Sequence, residues 1–227
     1  MKTALIFGLL SQVFYFARTF VQWFKSESEG EVISPVIYWQ FSLLASLLLL
    51  TYGILRNDFS IVLGQFLVYF IYVRNLQLKG SWIVFPLVIR ILAVTLPFLF
   101  FIWLIAGPDH NWGSLVKNEK VSLFMMIWGS AGQVIFSFRF IYQWIFSENR
   151  KNSVLPLGFW IISSAGSMMI LVYSIIQLDP ILFLSHSTGI FMYIRNILLY
   201  YGKEGIFSKL NIPLLSRLSK KVSDKIK

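Results

Sequence analysis

The sequence predicts an all-α integral membrane protein with seven transmembrane helices, arranged as two parallel three-helix repeats on either side of one linking helix. Three observations lead to this prediction. The composition is strongly apolar, the apolar residues form runs long enough to cross a bilayer, and much of the chain repeats itself at a constant offset of 121 positions.

The composition indicates which solvent the chain is built for. Of 227 residues, 57% are hydrophobic, 18% are aromatic and only 13% are charged, and the mean hydropathy is +0.70. Soluble domains carry about 25% charged residues, so this balance is typical of a membrane protein. The chain has no cysteine, which excludes disulfides and thiolate metal sites. We expect neither a metal nor a cofactor.

The apolar runs are read as helices, because one span needs about 20 residues and a helix satisfies its own backbone hydrogen bonds in lipid. The first repeat, residues 1–81, holds the spans 3–24, 33–55 and 59–79. Pro35 suits the first turn of the second span, where a missing amide hydrogen costs little. Asp58 is a typical N-cap for the third.

The remaining segments follow in the same way. Residues 82–120 contain the fourth span, 82–106, and an external loop. The second repeat, residues 121–202, holds the spans 121–146, 154–177 and 180–201. Residues 203–227 mix apolar and basic residues, which is typical of an amphipathic helix on an anionic membrane surface.

The internal repeat is the most specific feature of the sequence. Residues 12–78 align with residues 133–199 without a gap, and 21 of the 67 aligned pairs are identical. Shared apolar composition aligns Leu and Phe by chance, but it does not align polar residues. The identical pairs include Gln12 with Gln133, Arg18 with Arg139, Gln22 with Gln143, Arg74 with Arg195 and Asn75 with Asn196.

Three helices per repeat is an odd number, so two repeats in direct succession would be inverted in the membrane. The fourth span restores the orientation and gives a 3+1+3 arrangement of parallel repeats, which is SWEET-like. Transporters of this kind place their binding site at the interface between the repeats.

The positions of lysine and arginine predict the orientation. If residues 203–227 are cytoplasmic, eleven basic residues lie in the loops and helix ends on that side, against four on the other side. We therefore expect the N-terminus outside and the C-terminus inside. Nucleic acid is not an expected partner, because the basic residues flank membrane spans rather than a soluble domain.

Four arginines lie in the predicted cytoplasmic half of the membrane: Arg18, Arg74, Arg139 and Arg195. At 100° per residue, Arg18 shares a polar stripe with Gln12 and Gln22, and Arg139 shares the equivalent stripe with Gln133 and Gln143. A polar stripe in an apolar span faces protein or water, so this pair is predicted to line a cavity and to bind an anionic group. Arg74 and Arg195 are candidates for the same site, and binding at the seam between helices or snorkelling to the interface is the alternative.

Further polar and aromatic residues are predicted to line the cavity: Gln65, His186, Tyr72, Tyr193, Asn75, Asn196, Trp23 and Trp144. His186 could relay protons, or it could simply be hydrogen-bonded within the bundle. Glu27 and Glu148 lie just past the predicted spans and could pair with Arg18 and Arg139, but local salt-bridge capping is the favoured interpretation. Trp39 and Trp160 are expected in the interfacial aromatic belt.

Catalytic motifs are not found in the sequence. It has two histidines and no HExxH, P-loop or GxSxG pattern. Asp58 and Asp179 occupy equivalent positions and could form a carboxylate pair, but each begins a helix and is interpreted as an N-cap. The sequence therefore does not predict an enzyme.

Two motifs occur once in each repeat. "QWFKSE" at 22–27 corresponds to "QWIFSE" at 143–148, and "YVRN" at 72–75 corresponds to "YIRN" at 193–196. Together they resemble the lipid-A-disaccharide synthase N-terminal domain family, whose modules are small bacterial membrane domains similar to SWEET and PQ-loop proteins. The resemblance implies handling of a phosphate-linked glycolipid in the bacterial inner membrane. In that membrane, the external side predicted for the N-terminus from the basic residues is the periplasm.

The residues and the resemblance together predict a flippase that carries a polyprenyl-phosphate-linked sugar across the inner membrane for modification of lipid A or another envelope glycan. Arginine remains charged in a low-dielectric site and offers a fork of donors to the lipid phosphate. Two alternatives stay open: an accessory subunit that positions a glycosyltransferase and its lipid without transport, and a SWEET-like transporter of a free sugar. The expected partners are an anionic glycolipid, membrane lipids and a glycosyltransferase.

Overall fold

Helices account for most of the described backbone. The computed structural model describes residues 2–55, 59–106, 123–178 and 180–204, and no strand occurs within these ranges. The α-helices are α1 (Lys2–Glu29), α2 (Val36–Leu55), α3 (Phe59–Leu78), α4 (Leu87–Ala106), α5 (Leu123–Arg150), α6 (Leu157–Ile176) and α7 (Pro180–Tyr200). A short 3₁₀ turn, Trp82–Val84, precedes α4.

Three helices in the described part of the chain are long and apolar enough to cross a membrane: Thr3–Glu29, Val36–Leu55 and Leu157–Ile176. Large apolar side chains cover the outside of the bundle as well as its interior. Leu9, Leu92 and Val134, on three different helices, are about half exposed or more. An outer surface this rich in apolar side chains supports association with a membrane.

The helix ends differ most from the expected spans in α1, α4 and α5. Helices α1 and α5 continue to Glu29 and Arg150, so both copies of the QW-SE motif are helical. Helix α4 begins at Leu87 rather than at residue 82, because the chain makes the 3₁₀ turn first and Pro86 lacks the amide hydrogen that an earlier helix would use.

Helix packing follows the internal repeat. Helix α2 packs between α1 and α3, and α6 packs between α5 and α7. The two repeats meet where α1 contacts α7 and where α3 contacts α5, while α4 lies against α2 and α3. The first helix of each repeat thus contacts the third helix of the other, which is the pairing that a pseudo-twofold relation requires.

One end of the bundle carries most of the charge in the described residues. The α1–α2 and α5–α6 loops meet there through the hydroxyls of Ser34 and Ser153, and Lys25, Lys79 and Arg150 lie at the neighbouring helix ends. We call this the basic end, and the other the opposite end. The basic end is the one that the sequence predicts to be cytoplasmic.

The core near the basic end is aromatic and draws on both repeats, with Tyr38, Tyr72, Phe140 and Phe159 among its members. Trp39 and Trp160 also lie in this core and are 0% and 1% exposed, so the expectation of an interfacial belt was wrong for them. The physical reason is the packing order: α2 and α6 are the central helices of their repeats, and their tryptophans face inward.

Several expectations concern residues that the structure does not describe. The predicted external loop lies mostly within residues 107–122, and the predicted amphipathic tail lies almost wholly within residues 205–227. Asp58 and Asp179 also lie outside the described residues. The interpretations of these segments therefore stay predictions.

Candidate functional site

A cavity of about 650 Å³ lies between the two repeats. This volume falls within the range of about 300–1,000 Å³ that is usual for small-molecule sites. Half of the sixteen residues predicted for the site line it: Gln12, Arg18, Gln65, Tyr72, Gln133, Arg139, His186 and Tyr193. The remaining lining is mainly aromatic and small polar side chains, including Tyr15, Phe136 and Phe140.

Arg18 is buried in the wall of this cavity and is 6% exposed. Its Nη1 donates hydrogen bonds to Ser42 Oγ at 2.9 Å and to Tyr72 Oη at 3.2 Å. Its guanidinium carbon lies 4.5 Å from the centroid of the Tyr15 ring. Hydroxyls and ring faces therefore surround this cation, and its Nε is buried without a hydrogen-bond partner.

Arg139 occupies the equivalent position in the second repeat and is 5% exposed. Its guanidinium carbon lies over the Phe136 ring, 3.2 Å from the ring centroid, and 4.7 Å from the centroid of Phe140. Arg18 approaches the same Phe140 ring to 5.2 Å. The two cations thus converge on one aromatic ring, and within the described chain neither forms an ion pair with a carboxylate.

Two polar residues lie farther along the cavity at equivalent positions of α3 and α7. Gln65 Oε1 accepts hydrogen bonds from Tyr15 Oη at 2.6 Å and from Ser46 Oγ at 2.9 Å. His186 Nδ1 lies 3.0 Å from Ser167 Oγ. Each repeat thus ties a side chain of its third helix to a serine of its central helix.

The glutamines of the QW-SE motif do not line the cavity. Gln22 Nε2 donates to Asn196 Oδ1 at 2.8 Å, and Asn196 Nδ2 donates back to Gln22 Oε1 at 3.3 Å. The equivalent pair is formed by Gln143 Nε2 with Asn75 Oδ1 at 2.8 Å and by Asn75 Nδ2 with Gln143 Oε1 at 3.1 Å. All four side chains are fully buried, so they join the repeats to each other.

The glutamates and the outer arginines extend both contacts toward the basic end. Arg195 binds Glu27 through Nε at 2.6 Å and Nη2 at 2.7 Å. Arg74 binds Glu148 through Nε at 2.8 Å and Nη2 at 2.6 Å. The possible pairing of the glutamates with Arg18 and Arg139 is therefore wrong, because each carboxylate reaches across to the third helix of the other repeat. Glu148 also forms a local ion pair with Lys151 at 3.2 Å.

We call each set of one Gln–Asn pair and one Arg–Glu pair a clasp. The first clasp is Gln22, Glu27, Arg195 and Asn196, and the second is Gln143, Glu148, Arg74 and Asn75. The clasps account for six predicted site residues that the structure places outside the cavity lining. The phosphate contact predicted for Arg74 and Arg195 is untested, but each already has a carboxylate partner.

The two tryptophans of the motif have different surroundings. Trp23 Nε1 donates to Glu27 Oε1 at 3.1 Å, so Trp23 supports the first clasp. Trp144 is 40% exposed on the outer surface of α5. Neither tryptophan lines the cavity.

A second recess, of about 1020 Å³, opens at the basic end. Lys25, Lys79 and Arg150 line it together with Glu29 and Glu31. Along α3 and α7 the clasp residues lie between residues of the central cavity, Tyr72 and Tyr193, and residues of the recess, Lys79 and Leu199. No group of three or more His, Cys, Asp or Glu that could hold a metal ion occurs in the described ranges.

Sequence reasoning missed several residues that shape the central cavity. Ser42 accepts a hydrogen bond from Arg18, and Phe140 lies between the two arginines. Ser42 is one of the identical pairs of the repeat, with Ser163 as its partner, so a signal was present. Phe140 aligns with Thr19, and nothing in the sequence distinguished it from other phenylalanines of α5.

Comparison with known proteins places this arrangement in a family. The sequence profile of the lipid A biosynthesis N-terminal domain matches residues 7–77 and again residues 128–198. The two matches are 121 positions apart, which is the offset of the internal repeat. The chain belongs to this family. The resemblance inferred from the QW-SE and YxRN motifs is thereby confirmed.

The curated relatives are longer proteins. The chain is 31% identical over 207 residues to the lipid-A-disaccharide synthase of Chlamydia pneumoniae, covering 87% of this chain and 33% of that protein. It is 30% identical over 202 residues to the protein of the same name from Chlamydia muridarum, with coverages of 84% and 33%. The chain thus spans about one third of the length of these relatives. No solved structure matches it.

Proposed function

We propose that this protein binds a polyprenyl-phosphate-linked sugar in the cavity between its repeats and carries it across the bacterial inner membrane for lipid A or envelope glycan synthesis. One observation carries the proposal. Arg18 and Arg139 are buried, lie in one cavity at the repeat interface and, in the described chain, have no carboxylate partner.

Two buried positive charges without counter-ions are costly in a bilayer, by several kcal/mol each. A phosphate offsets this cost best, since arginine binds phosphate through parallel charge-assisted hydrogen bonds. A neutral free sugar would leave both charges uncompensated. The family's domain is named for lipid A biosynthesis. That pathway uses anionic glycolipids, which agrees with this choice of ligand.

The shape of the cavity suits a lipid with a polar head. Among its lining residues, Phe16, Ser137 and Ser185 are exposed on the outer faces of α1, α5 and α7. The cavity therefore reaches the surface that would face the bilayer, and a prenyl chain can leave sideways while the head stays inside. No Asp or Glu is among the described lining residues, which favours binding over glycosyl transfer.

In a seven-span, 3+1+3 architecture, transport would occur by rocking of the two repeats against each other, which opens the site to one side of the membrane at a time. In the described state the clasps hold the repeats together at the basic end. With that end in the cytoplasm, this state is closed toward the cytoplasm. Opening requires the clasps to separate, and the four polar pairs that they contain give the closed state its stability.

A second candidate function rests on the length of the relatives. In the Chlamydia proteins the matched region is one third of a chain named lipid-A-disaccharide synthase. The presence of this membrane module within a longer protein of that name favours an accessory role. In that role the cavity holds the lipid for a glycosyltransferase partner, and the protein does not carry the lipid across the membrane.

Flipping in proteoliposomes tests the proposal and separates the two candidates. The full chain is reconstituted with a polyprenyl-phosphate-linked hexose, and transfer is followed by the access of an impermeant reagent to the sugar. We expect flipping by the parent, loss in Arg18→Ala and Arg139→Ala, and partial activity in the Lys variants, which keep the charge but lose the fork. Each lost contact should cost on the order of 1.5–3 kcal/mol, roughly ten- to a hundredfold.

The matched control is Arg90→Gln, which removes a guanidinium from α4, outside the cavity. It should flip like the parent. Binding without flipping by the folded parent would favour the accessory role. Equal flipping by the parent and by the double variant Arg18→Ala/Arg139→Ala would show that the two arginines take no part in transport.

A further inference from the structure

The two cavity arginines are equivalent in sequence but differ in their hydrogen bonds. Arg18 already donates from Nη1 to Ser42 and Tyr72. Arg139 donates to no protein atom that the structure describes, and its Nη1 is buried without a partner. The N–H groups of Arg139 are therefore available to a ligand, whereas Nη1 of Arg18 already donates within the protein.

Aromatic rings pack against the guanidinium of Arg139. Arg139 lies over Phe136 and Phe140, and stacking occupies the face of a guanidinium while its N–H groups, which lie in its plane, stay available. In the first repeat Tyr15 stands where the second has Phe136, and Tyr38 stands where it has Phe159. The two acceptors of Arg18 nevertheless have counterparts in the second repeat, Ser163 and Tyr193, so the difference lies in the placement of Arg139 and not in missing acceptors.

The first repeat supplies a neutral polar surface instead. Tyr15 and Ser46 both donate to Gln65 Oε1, which fixes the side-chain amide of Gln65. Its Nε2 donates to no described protein atom. Gln65, Tyr15 and Tyr72 line the cavity, and neutral donors and acceptors such as theirs suit the hydroxyl groups of a sugar.

We propose that the cavity is polarised: Arg139 takes the phosphate of the ligand, and Tyr15, Gln65 and Tyr72 take its hydroxyl-bearing part. Arg18, held by Ser42 and Tyr72, contributes less to phosphate binding. The repeats are similar, but the ligand has one orientation between them. This inference rests on the proposed function, because it assumes a ligand that carries both a phosphate and a sugar.

Equilibrium binding to the full chain in lipid nanodiscs tests the assignment with three probes: polyprenyl phosphate, polyprenyl-phosphate-linked hexose and inorganic phosphate. We expect Arg139→Gln to weaken both lipid probes about tenfold to a hundredfold. Arg18→Gln should weaken them at least about threefold less, because its hydrogen bonds are partly satisfied within the protein. Arg139→Lys, which keeps the charge, should fall between the parent and Arg139→Gln.

Tyr15→Phe tests the sugar side with the residue that the second repeat has at that position. It removes one hydroxyl, so it should weaken the hexose-bearing probe about twofold to tenfold relative to the sugar-free lipid. Thermal unfolding is measured for the parent, for each variant and for the matched control Arg90→Gln. A cooperative transition in each establishes that the protein is folded.

The outcomes distinguish a failure of the polarised site from a failure of the proposed function. Equal losses in Arg18→Gln and Arg139→Gln, or an equal effect of Tyr15→Phe on both lipid probes, would overturn the polarised site while leaving the phosphate site in place. Failure of the folded parent to bind either lipid probe overturns the proposed function and this assignment with it. Binding of inorganic phosphate as tight as that of the lipids overturns the lipid-linked ligand.

Discussion

Gln22 of the first repeat and Asn196 of the second exchange two hydrogen bonds, at 2.8 Å and 3.3 Å between nitrogen and oxygen. Both side chains are 0% exposed. An amide buried in this way loses its protein partner when the repeats separate, and lipid cannot replace that partner. The clasp therefore holds the basic end closed by polar contacts rather than by apolar packing alone.

The ion pair of the first clasp should contribute strongly to stability. Glu27 is fully buried and Arg195 is largely buried, so Glu27→Gln leaves a charged guanidinium without its carboxylate. We expect a loss of about 3 kcal/mol in the free energy of unfolding, measured by denaturant titration in detergent. In the double variant Glu27→Gln/Arg195→Gln the loss should be smaller than the sum of the single losses.

The second clasp gives the matched comparison. Arg74 and Glu148 make the same bidentate contact, but their side chains are 40% and 30% exposed, so water screens the pair. Glu148→Gln should destabilise the protein less than Glu27→Gln does. Equal losses would show that burial does not set the strength of these contacts.

The same pair makes a prediction about pH. Glu148 lies beyond the predicted span 121–146, and the hydrogen bonds from Arg74 lower the pKa of its carboxyl from 4.5 to about 2. Because the folded pKa is below the unfolded value, the stabilisation is fully present above about pH 4.5 and is lost as the pH falls toward 2.

Unfolding of the parent and of Glu148→Gln should be compared across this pH range. The difference in stability between them should be constant at neutral pH and should shrink below about pH 4.5. A difference that does not change with pH down to 2 contradicts the ion pair.

Gly166 lets α6 approach α5 closely beneath Phe136. A Cβ at this position would lie 2.7 Å from the backbone nitrogen of Phe136, so Gly166→Ala must shift a helix backbone. We expect a destabilisation of about 1–3 kcal/mol from overpacking, against a gain of about 1 kcal/mol in helix propensity. Ligand binding should also weaken, since Arg139 stacks on Phe136.

Gly158→Ala is the control for this prediction. Its Cβ would meet only the far end of the Tyr142 side chain, at 2.6 Å, and a side chain can move where a backbone cannot. The control should be less destabilised than Gly166→Ala when both are followed by thermal unfolding. The opposite order would show that α5 and α6 adjust to each other freely.

The orientation of the bundle is open to labelling, because the chain has no cysteine. Thr3→Cys places a thiol at the opposite end, and Asn152→Cys places one in an exposed loop of the basic end. If the excess of basic residues sets the orientation, an impermeant maleimide added from the periplasmic side labels the first variant only. Labelling of both variants from one side is incompatible with the predicted topology.

The sequence predicted those parts of the molecule that depend on local pattern. Long apolar runs predicted the helices, and the helical phase of Arg18 and Arg139 placed both on the cavity side, since a charge within a bundle turns away from lipid. The clasps depend instead on which helices meet. Gln22 and Asn196 are 174 positions apart, and their contact follows only once α1 is known to lie against α7.

Burial of the tryptophans escaped prediction for a similar reason. Trp39 is close to the start of its span, where an aromatic belt is expected. The central position of α2 instead turns Trp39 inward, and its Nε1 donates to Ser34 Oγ at 2.8 Å. The order of helices within a repeat is a tertiary property, which the pattern of a single helix does not contain.

The most direct test of phosphate binding at Arg18 and Arg139 is to locate the ligand phosphate in the folded parent. A polyprenyl phosphate with a photoreactive group on its first isoprene unit can be cross-linked to the protein, and the adduct mapped by mass spectrometry. We expect adducts on residues around the two cavity arginines, such as Phe136, Phe140 or Tyr193. Adducts confined to the recess of Lys25, Lys79 and Arg150 at the basic end would contradict this expectation.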